Sequence, residues 1–262
     1  MEEKMNTLLS FVDISGLAFL VSSSFLPVLS TRGIQKKEIK LGLQRCVIPI
    51  GIMCSSFALI LILSDMSNPS TLWGQVLRAA LAALYGLVVY VMLRIIPDQK
   101  GVFDWEVTVH PSVLGSTILC LIAFSFFTYY GESGWFDLTV FFFMGFGVSL
   151  STLLAHVKNP TVPKSYLVVR QSAICAGLAM LYSLAAMWMY LDDPTMIGPY
   201  MSLGLISGFY ASFLMAWGSL LIPNSYENRL YTIQIRFLST AAISSFLFFV
   251  LMEASMGFYF WS

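Results

Sequence analysis

The sequence predicts an all-α integral membrane protein with eight transmembrane helices. Of its 262 residues, 58% are hydrophobic and 11% are charged, and the mean hydropathy is +0.79. Soluble domains carry about a quarter charged residues, so this deficit indicates a lipid environment. Apolar runs of about 20 residues, long enough to cross a hydrocarbon core of about 30 Å, recur along the chain. The runs lack the alternation of a membrane barrel, and open backbone is costly in lipid, so each run predicts a helix.

Eight such runs define the predicted spans. They cover residues 9–29, 46–64, 75–96, 112–130, 135–155, 171–191, 199–222 and 237–260. The first run could instead be a signal peptide, but the charged residues before it, Glu2, Glu3 and Lys4, are net acidic. No small-residue cleavage motif is obvious after the run. We therefore interpret residues 9–29 as a retained first span.

The distribution of basic residues predicts how the spans are oriented. All but Lys4 and Arg78 of the 14 basic residues lie on one set of alternating connections. Connections rich in lysine and arginine stay on the cytoplasmic side of a membrane. The sequence therefore predicts that both termini face the outer side, where very short turns carry acidic residues such as Asp192 and Asp193.

The two halves of the chain resemble each other. A shift of about 125 residues superimposes Pro69 on Pro194 and Tyr85 on Tyr210, each pair at the same place relative to its predicted span. These matches predict two four-helix repeats, residues 1–130 and 131–262. Because four is an even number, the repeats share one orientation and are related by an axis along the membrane normal. The competing interpretation is chance similarity between apolar helices.

A short motif between two spans of the second half carries the most specific resemblance. It is an outer turn that contains Asp192, Asp193, Pro194, Gly198 and Pro199. The span after this turn continues through Tyr210 and ends at Pro223. This pattern is similar to the turn and fourth helix of MotA, the flagellar stator A subunit, in the MotA/TolQ/ExbB superfamily. Residues 49–56, Asn68-Pro69-Ser70 and Leu84-Tyr85-Gly86 form a weaker copy in the first half.

The resemblance implies an order of helices. Residues 134–138 resemble the family's turn between its first and second helices, and the last span resembles its first helix. Each half then reads as helices 2-3-4-1, which gives two parallel stator-like repeats in permuted order. The family's large cytoplasmic domain has no counterpart, because the matching connections, about 30–45 and 156–170, are short. This departure puts rotor contact of the flagellar type in doubt.

The resemblance also implies a function. Members of the superfamily form rings around single-span partners of the MotB, ExbD or TolR type, and a carboxylate of the partner carries H⁺ or Na⁺. We therefore expect a self-associating, ring- or scaffold-forming subunit of an ion-motive-force-driven complex in the bacterial inner membrane. The partner must supply the acid, since the spans that match the family's inner helices contain no Asp or Glu at mid-depth. The choice between H⁺ and Na⁺ stays open.

Hydroxyl-bearing residues in these spans are the candidates for an ion path or a partner-facing surface. The set is Ser55, Ser56, Tyr85, Ser202, Ser207 and Tyr210. Serine oxygens can hydrate or coordinate an ion beside a carboxylate. A structural interpretation of the serines is equally open, because small hydroxyls permit close helix packing and bond to their own backbone. Tyr85 and Tyr210 recur at mid-helix in both halves, which favours a repeated packing or pore contact.

Three prolines are candidate hinges or helix ends: Pro49, Pro97 and Pro223. Proline readily ends a helix, so for Pro97 and Pro223 we favour a role as inner helix ends. Pro49 has no counterpart in the second half, where the matching residue is Ala173 or Ile174.

The acidic pair of the outer turn has two interpretations. Asp192 and Asp193 directly precede a helix whose first turn holds Pro194, which suits N-capping. The same carboxylates could attract cations to a pore mouth. Capping needs no further assumption.

Other classes of function find little support in the residues. The chain shows no nucleophile–base constellation, phosphate loop or metal-ligand cluster, so we expect neither an enzyme nor a bound cofactor or metal. A net charge of zero without a basic stripe disfavours nucleic-acid binding. Two further functions stay open: a non-conducting structural or assembly protein on a stator-like scaffold, and a transporter or channel with its own path between the repeats.

Overall fold

The computed structural model describes residues 36–64, 69–95 and 138–261, and it is helical throughout these ranges apart from short connections. Within these described ranges, six α-helices follow one another: α1 (Lys36–Ser64), α2 (Pro69–Ile95), α3 (Leu138–Lys158), α4 (Lys164–Met189), α5 (Pro194–Leu220) and α6 (Glu227–Trp261). A 3₁₀ turn, Asn224–Tyr226, links α5 to α6. The predicted spans 9–29 and 112–130 lie outside the described residues.

Five of these helices contain an apolar stretch long enough to cross a membrane. The stretches are Lys40–Ile60, Thr139–Lys158, Lys164–Met189, Thr195–Leu220 and Glu227–Ser255. The described apolar part of α2, Ala79–Ile95, is shorter. The prediction of an all-α membrane protein is thus confirmed at the level of helix type and apolar length. The count of eight spans and the sidedness of the termini stay predictions.

The predicted starts of two spans were wrong. Helix α1 begins at Lys36 and α6 at Glu227, about ten residues before the predicted starts at 46 and 237. The predicted connection 30–45 is therefore helical from Lys36 onward, and the connection 156–170 shrinks to residues 159–163. The reason is that charged residues end an apolar run without ending the helix, since helical hydrogen bonding depends on the backbone alone.

Helices α1 and α5 form the centre of the bundle. Of their apolar stretches, 78% and 72% are buried, against 17% for α3. Helix α1 packs most closely on α2 and α5, and α5 packs on α4, while α6 crosses α1, α4 and α5. Helix α3 covers α4 and α5 from outside and exposes large apolar side chains, including Phe142, Phe146, Leu153 and Leu154. An apolar face of this size on the described bundle is what lipid contact requires.

Two glycines allow the α1 and α2 helices to pack closely against each other. A Cβ atom built on Gly86 would lie 2.9 Å from the carbonyl oxygen of Val47 and 3.1 Å from Cα of Gly51. A Cβ on Gly51 would meet Cα of Gly86 at 3.1 Å. The two backbones therefore touch directly, as small residues allow in membrane helix pairs.

The α4–α5 hairpin has the same antiparallel register as α1–α2. In α1–α2, Gln44 Nε2 donates to the Leu93 carbonyl at 2.9 Å. The shift of about 125 residues carries this pair onto Val169 and Gly218, and these two residues face each other across α4–α5. The same shift carries the touching glycines onto two residues that are both fully buried, Ala176 and Ala211.

Candidate functional site

The candidate site begins with a proline inside a helix. Pro49 lies in the interior of α1, and the helix continues on both sides of it. Proline has no backbone N–H, so it cannot donate the helical hydrogen bond to the carbonyl four residues earlier. That carbonyl belongs to Arg45. A buried carbonyl without a partner is costly, so another donor is required.

Two side chains from other helices supply that donor. Gln234 Nε2 of α6 donates to the Arg45 carbonyl at 2.7 Å, and Ser219 Oγ of α5 donates to it at 3.1 Å. The Ser219 hydroxyl also lies 2.8 Å from the Ala216 carbonyl, so its single proton is shared between two acceptors. Both Gln234 and Ser219 are fully buried. The carbonyl freed by Pro49 thus joins α1, α5 and α6.

The side chain of Arg45 strengthens the same junction. Its guanidinium is fully buried, and Nη1 donates to the Ile222 carbonyl at 2.6 Å. Ile222 lies just past the end of α5, where helix carbonyls lack helical partners and a cation is favourable. Nη2 lies 3.9 Å from Oε2 of Glu227, whose side chain is 31% exposed.

Aromatic residues extend this junction to α2. The Tyr231 hydroxyl donates to Oε1 of Glu227 at 3.0 Å, and the Tyr231 ring lies 5.2 Å from that of Tyr90. Arg94 donates to the Tyr90 hydroxyl at 2.6 Å, with its guanidinium carbon 5.8 Å from the centre of the Tyr231 ring. We define the Arg45 cluster as Arg45, Ser219, Glu227, Tyr231 and Gln234. It lies at the bundle end where α1 and α6 begin and α2 and α5 finish.

A half-enclosed crevice of about 230 Å³ lies between α1, α2 and α6. Its polar lining consists of Ser55 and Ser56 of α1 and Ser245 of α6. Much of the remaining wall is made of small side chains, Ala80, Ala83, Ala241 and Ala242. Of the candidate residues predicted from the sequence, Ser55 and Ser56 are the two that the structure brings to this crevice.

The Arg45 cluster lies at one end of the crevice. On α6, Leu238, Ala241 and Ser245 follow Gln234 at intervals of four, three and four residues, so they share its helix face. On α1, Ile52 lies about two turns beyond Arg45. The junction around the Arg45 carbonyl and the serine-lined crevice are therefore consecutive parts of one α1–α6 interface.

The predicted serines of α5 bond to their own helix. Ser207 Oγ donates to the Leu203 carbonyl at 2.7 Å, and Ser202 Oγ to the Pro199 carbonyl at 2.8 Å. Ser207 is fully buried. These distances fit the structural interpretation of Ser202 and Ser207, since the hydroxyl protons are used within α5.

The predicted tyrosines lie away from the crevice. Tyr210 is half-buried and packs edge-on against Phe141 of α3, with ring centres 5.9 Å apart. Tyr85 is half-buried on α2 beside Gly86. Neither residue lines the crevice.

The two described candidate prolines have different positions. Pro223 directly follows the C-cap region of α5, and its carbonyl accepts from the Tyr226 N–H at 3.0 Å. Pro49 lies well inside α1 and does not end it. Pro97 lies outside the described residues.

The turn that holds Asp192 and Asp193 caps α5. Asp193 is the N-cap residue, and its carboxylate accepts from the Thr195 N–H at 3.1 Å and from the Thr195 hydroxyl at 2.6 Å. Pro194 begins the helix, Asp192 is exposed, and Gly198 and Pro199 lie in the first turns of α5.

Sequence reasoning missed Arg45 and Gln234. Arg45 was counted among the charges of a cytoplasmic connection, whereas it is a buried residue of α1. One signal pointed to it: a proline inside an apolar run implies a free carbonyl four residues earlier. The sequence held no corresponding signal for Gln234, which is 189 positions away from Arg45.

Comparisons with known proteins identify no relative. No protein-family model, curated protein or solved structure matches the chain. Within the described ranges, no group of three or more His, Cys, Asp or Glu side chains is placed to hold a metal ion.

Proposed function

We propose that this chain is a non-enzymatic membrane subunit that binds the transmembrane helix of a single-span partner along the α1–α2–α6 crevice, with the crevice receiving side chains of that helix. The partner is of the MotB, ExbD or TolR type and supplies a carboxylate. The complex is stator-like and is driven by an H⁺ or Na⁺ gradient across the bacterial inner membrane. Several copies of the chain form its ring or scaffold.

The observation that carries this proposal is the lining of the crevice. Transmembrane helices associate closely where small residues let their backbones approach, and polar groups at such interfaces are bonded across them. Alanines and three serines line this crevice, beside the exposed ring of Phe246. The hydroxyls of Ser55, Ser56 and Ser245 suit a carboxylate that enters on a partner helix.

The partner's acid is needed because the crevice has no carboxylate of its own. Its described lining consists of apolar residues and serines. Glu227 belongs to the Arg45 cluster, and Glu253 is exposed further along α6. An ion that crosses beside Ser55 and Ser56 therefore requires an acid from outside this lining.

The shared register of the two hairpins supports the repeat on which the stator-like interpretation depends. Gln44 and Leu93 correspond to Val169 and Gly218 under the shift that also relates Tyr85 to Tyr210. Chance similarity of apolar sequences does not require equal packing registers. The positive-inside distribution further supports outer termini for this multi-pass chain.

A non-conducting scaffold is the second candidate. The hydroxyls of Ser202, Ser207 and Ser212 all donate to carbonyls of α5 itself. Helices α1 and α5 belong to different predicted repeats, and their contact places Phe57 against Phe209 with ring centres 6.1 Å apart. Apolar packing there gives little support to a transport path between the repeats.

Reconstitution tests the proposal. The tagged chain is purified from its native membrane with any bound partner, and H⁺ and Na⁺ uptake into liposomes is measured. We expect conduction by the complex, none by the chain alone, and a marked loss in Ser55→Ala/Ser56→Ala. The matched control is Ser202→Ala/Ser207→Ala, which we expect to conduct normally. Conduction by the chain alone, or equal effects of both pairs, would contradict the proposal.

A further inference from the structure

We infer that Gln234, bound to the Arg45 carbonyl, forms a gate at the end of the α1–α2–α6 crevice. In the closed state seen here, the junction separates the crevice from the side of the membrane on which α1 and α6 begin. In the open state, Gln234 leaves the Arg45 carbonyl and water reaches the crevice serines. The importance of this gate for ion movement rests on the proposed function, whereas its opening does not.

The bond that closes the gate is a bond between helices. Four buried serines in the described part of the chain, among them Ser183 and Ser212, donate only within their own helix. The Arg45 carbonyl instead depends on α5 and α6, because Pro49 removes its helical donor. Separation of α6 from α1 therefore breaks the Gln234 bond without unwinding either helix, while Ser219 of α5 stays on the carbonyl.

The residues of the junction are buried in the closed state. Arg45, Ser219 and Gln234 are each fully buried, and Cys46 beside them donates from Sγ to the Ala216 carbonyl at 3.4 Å. The amide of Gln234 is held at its NH₂ end, and its Oε1 has no hydrogen-bond partner among the described residues. An unpaired buried acceptor makes the closed position of Gln234 less favourable than full pairing would.

Arg45 holds the fixed side of the gate. Its guanidinium bonds to the Ile222 carbonyl, so the start of α1 stays tied to the end of α5 even when α6 moves. Glu227 reaches the same guanidinium from the first turn of α6 and is partly exposed. The moving element is therefore α6, and Leu238, Ala241 and Ser245 move with it as one wall of the crevice.

Cysteine accessibility measures the opening directly. The reporter is Ser55→Cys in a background in which Cys46 is replaced by Ser and the other three cysteines by Ala. The protein is held in nanodiscs and labelled with a charged thiol reagent that does not enter lipid. We expect Gln234→Leu to raise the labelling rate about three- to tenfold, as loss of one net hydrogen bond predicts. We expect Ser219→Ala to lower the labelling rate, because the Arg45 carbonyl then has no side-chain donor once Gln234 leaves it.

The matched control is Ser212→Ala. Ser212 is a fully buried serine on the same helix as Ser219, but its bond stays within α5. We expect this variant to label at the rate of the parent. Equal labelling of the Gln234, Ser219 and Ser212 variants would overturn the gate. Ser219→Ala removes a single oxygen and keeps the test valid if Gln234→Leu does not fold.

A second arm tests the part played by Pro49. Alanine at this position restores an N–H that can bond to the Arg45 carbonyl, so α6 is no longer needed as donor. We expect the effect of Gln234→Leu on labelling to shrink at least severalfold in a Pro49→Ala background. An unchanged effect would overturn the assignment of this carbonyl as the gate contact. Neither arm uses a partner or an ion gradient, so a failed gate and a failed proposed function give different results.

Discussion

Gln234 of α6 donates a 2.7 Å hydrogen bond to the backbone carbonyl of Arg45 in α1, across 189 positions of the chain. The acceptor is available because Pro49 removes the N–H that a regular helix would place there. A proline in the middle of a membrane helix thus serves as an attachment point between helices. The same residue that interrupts α1 joins it to α5 and α6.

The glycine contact between α1 and α2 predicts a sharp sensitivity to size. We expect Gly86→Ala to destabilise the protein by about 1–3 kcal/mol, because the new Cβ meets backbone atoms of Val47 and Gly51 that cannot move alone. Thermal unfolding in detergent measures the loss. The control is Gly145→Ala in α3, where no described atom lies within 4 Å of the new Cβ. Equal melting temperatures for the two variants would show that helices α1 and α2 do not touch at Gly86.

The ion pair of the Arg45 cluster predicts coupled substitutions. We expect Glu227→Gln to destabilise the protein by on the order of 1 kcal/mol, because the buried guanidinium loses its counter-charge. The same substitution in an Arg45→Met background should have almost no effect on unfolding. Glu253→Gln, at an exposed position on the same helix, is the control. Additive effects of the Arg45 and Glu227 changes would rule out the pair.

The N-cap of α5 predicts a difference between two adjacent acids. We expect Asp193→Ala to lower the unfolding free energy by about 1 kcal/mol, since its carboxylate bonds to the first turn at Thr195. Asp192→Ala should change it much less, because Asp192 is exposed and does not cap the helix. Parallel thermal unfolding of the two variants makes the comparison. A larger loss for Asp192→Ala would contradict the capping geometry.

The exposed face of the bundle predicts contact with lipid tails. Trp188 of α4 is 69% exposed, whereas Trp217 of α5 is half-buried and stacks on Phe213 at 5.3 Å. In variants with one tryptophan each, we expect brominated phospholipids to quench the fluorescence of Trp188 more strongly than that of Trp217. Equal quenching would mean that the described burial does not hold in a bilayer.

The helices themselves could be predicted from hydropathy, but their polar ends could not. All six predicted spans that fall on described residues correspond to helices, because runs of apolar residues dominate the signal at this composition. The starts of α1 and α6 carry Lys36, Lys40, Glu227 and Arg229, so a hydropathy criterion places each start too late. These polar helix ends are where the Arg45 cluster forms.

The candidate site was only partly predictable for a related reason. Ser55 and Ser56 were identified as hydroxyl-bearing residues of a span that resembles an inner helix of the stator family, and the structure places both at the crevice. Their partner in the lining, Ser245, lies far away in the chain and could not be linked to them. Arg45 carried a charge that suggested a connection between spans, and only tertiary packing buries it.

Photo-crosslinking from α6 tests the central claim most directly. A photoreactive amino acid is placed in native membranes at Ala242, which lines the crevice, or at Ile243, which is 61% exposed but lies outside the lining. We predict that Ala242 captures a single-span protein whose transmembrane helix contains an Asp or Glu, and that Ile243 does not. Identical products from both positions, or a captured helix without a carboxylate, would contradict the claim that the acid-bearing partner binds along the crevice.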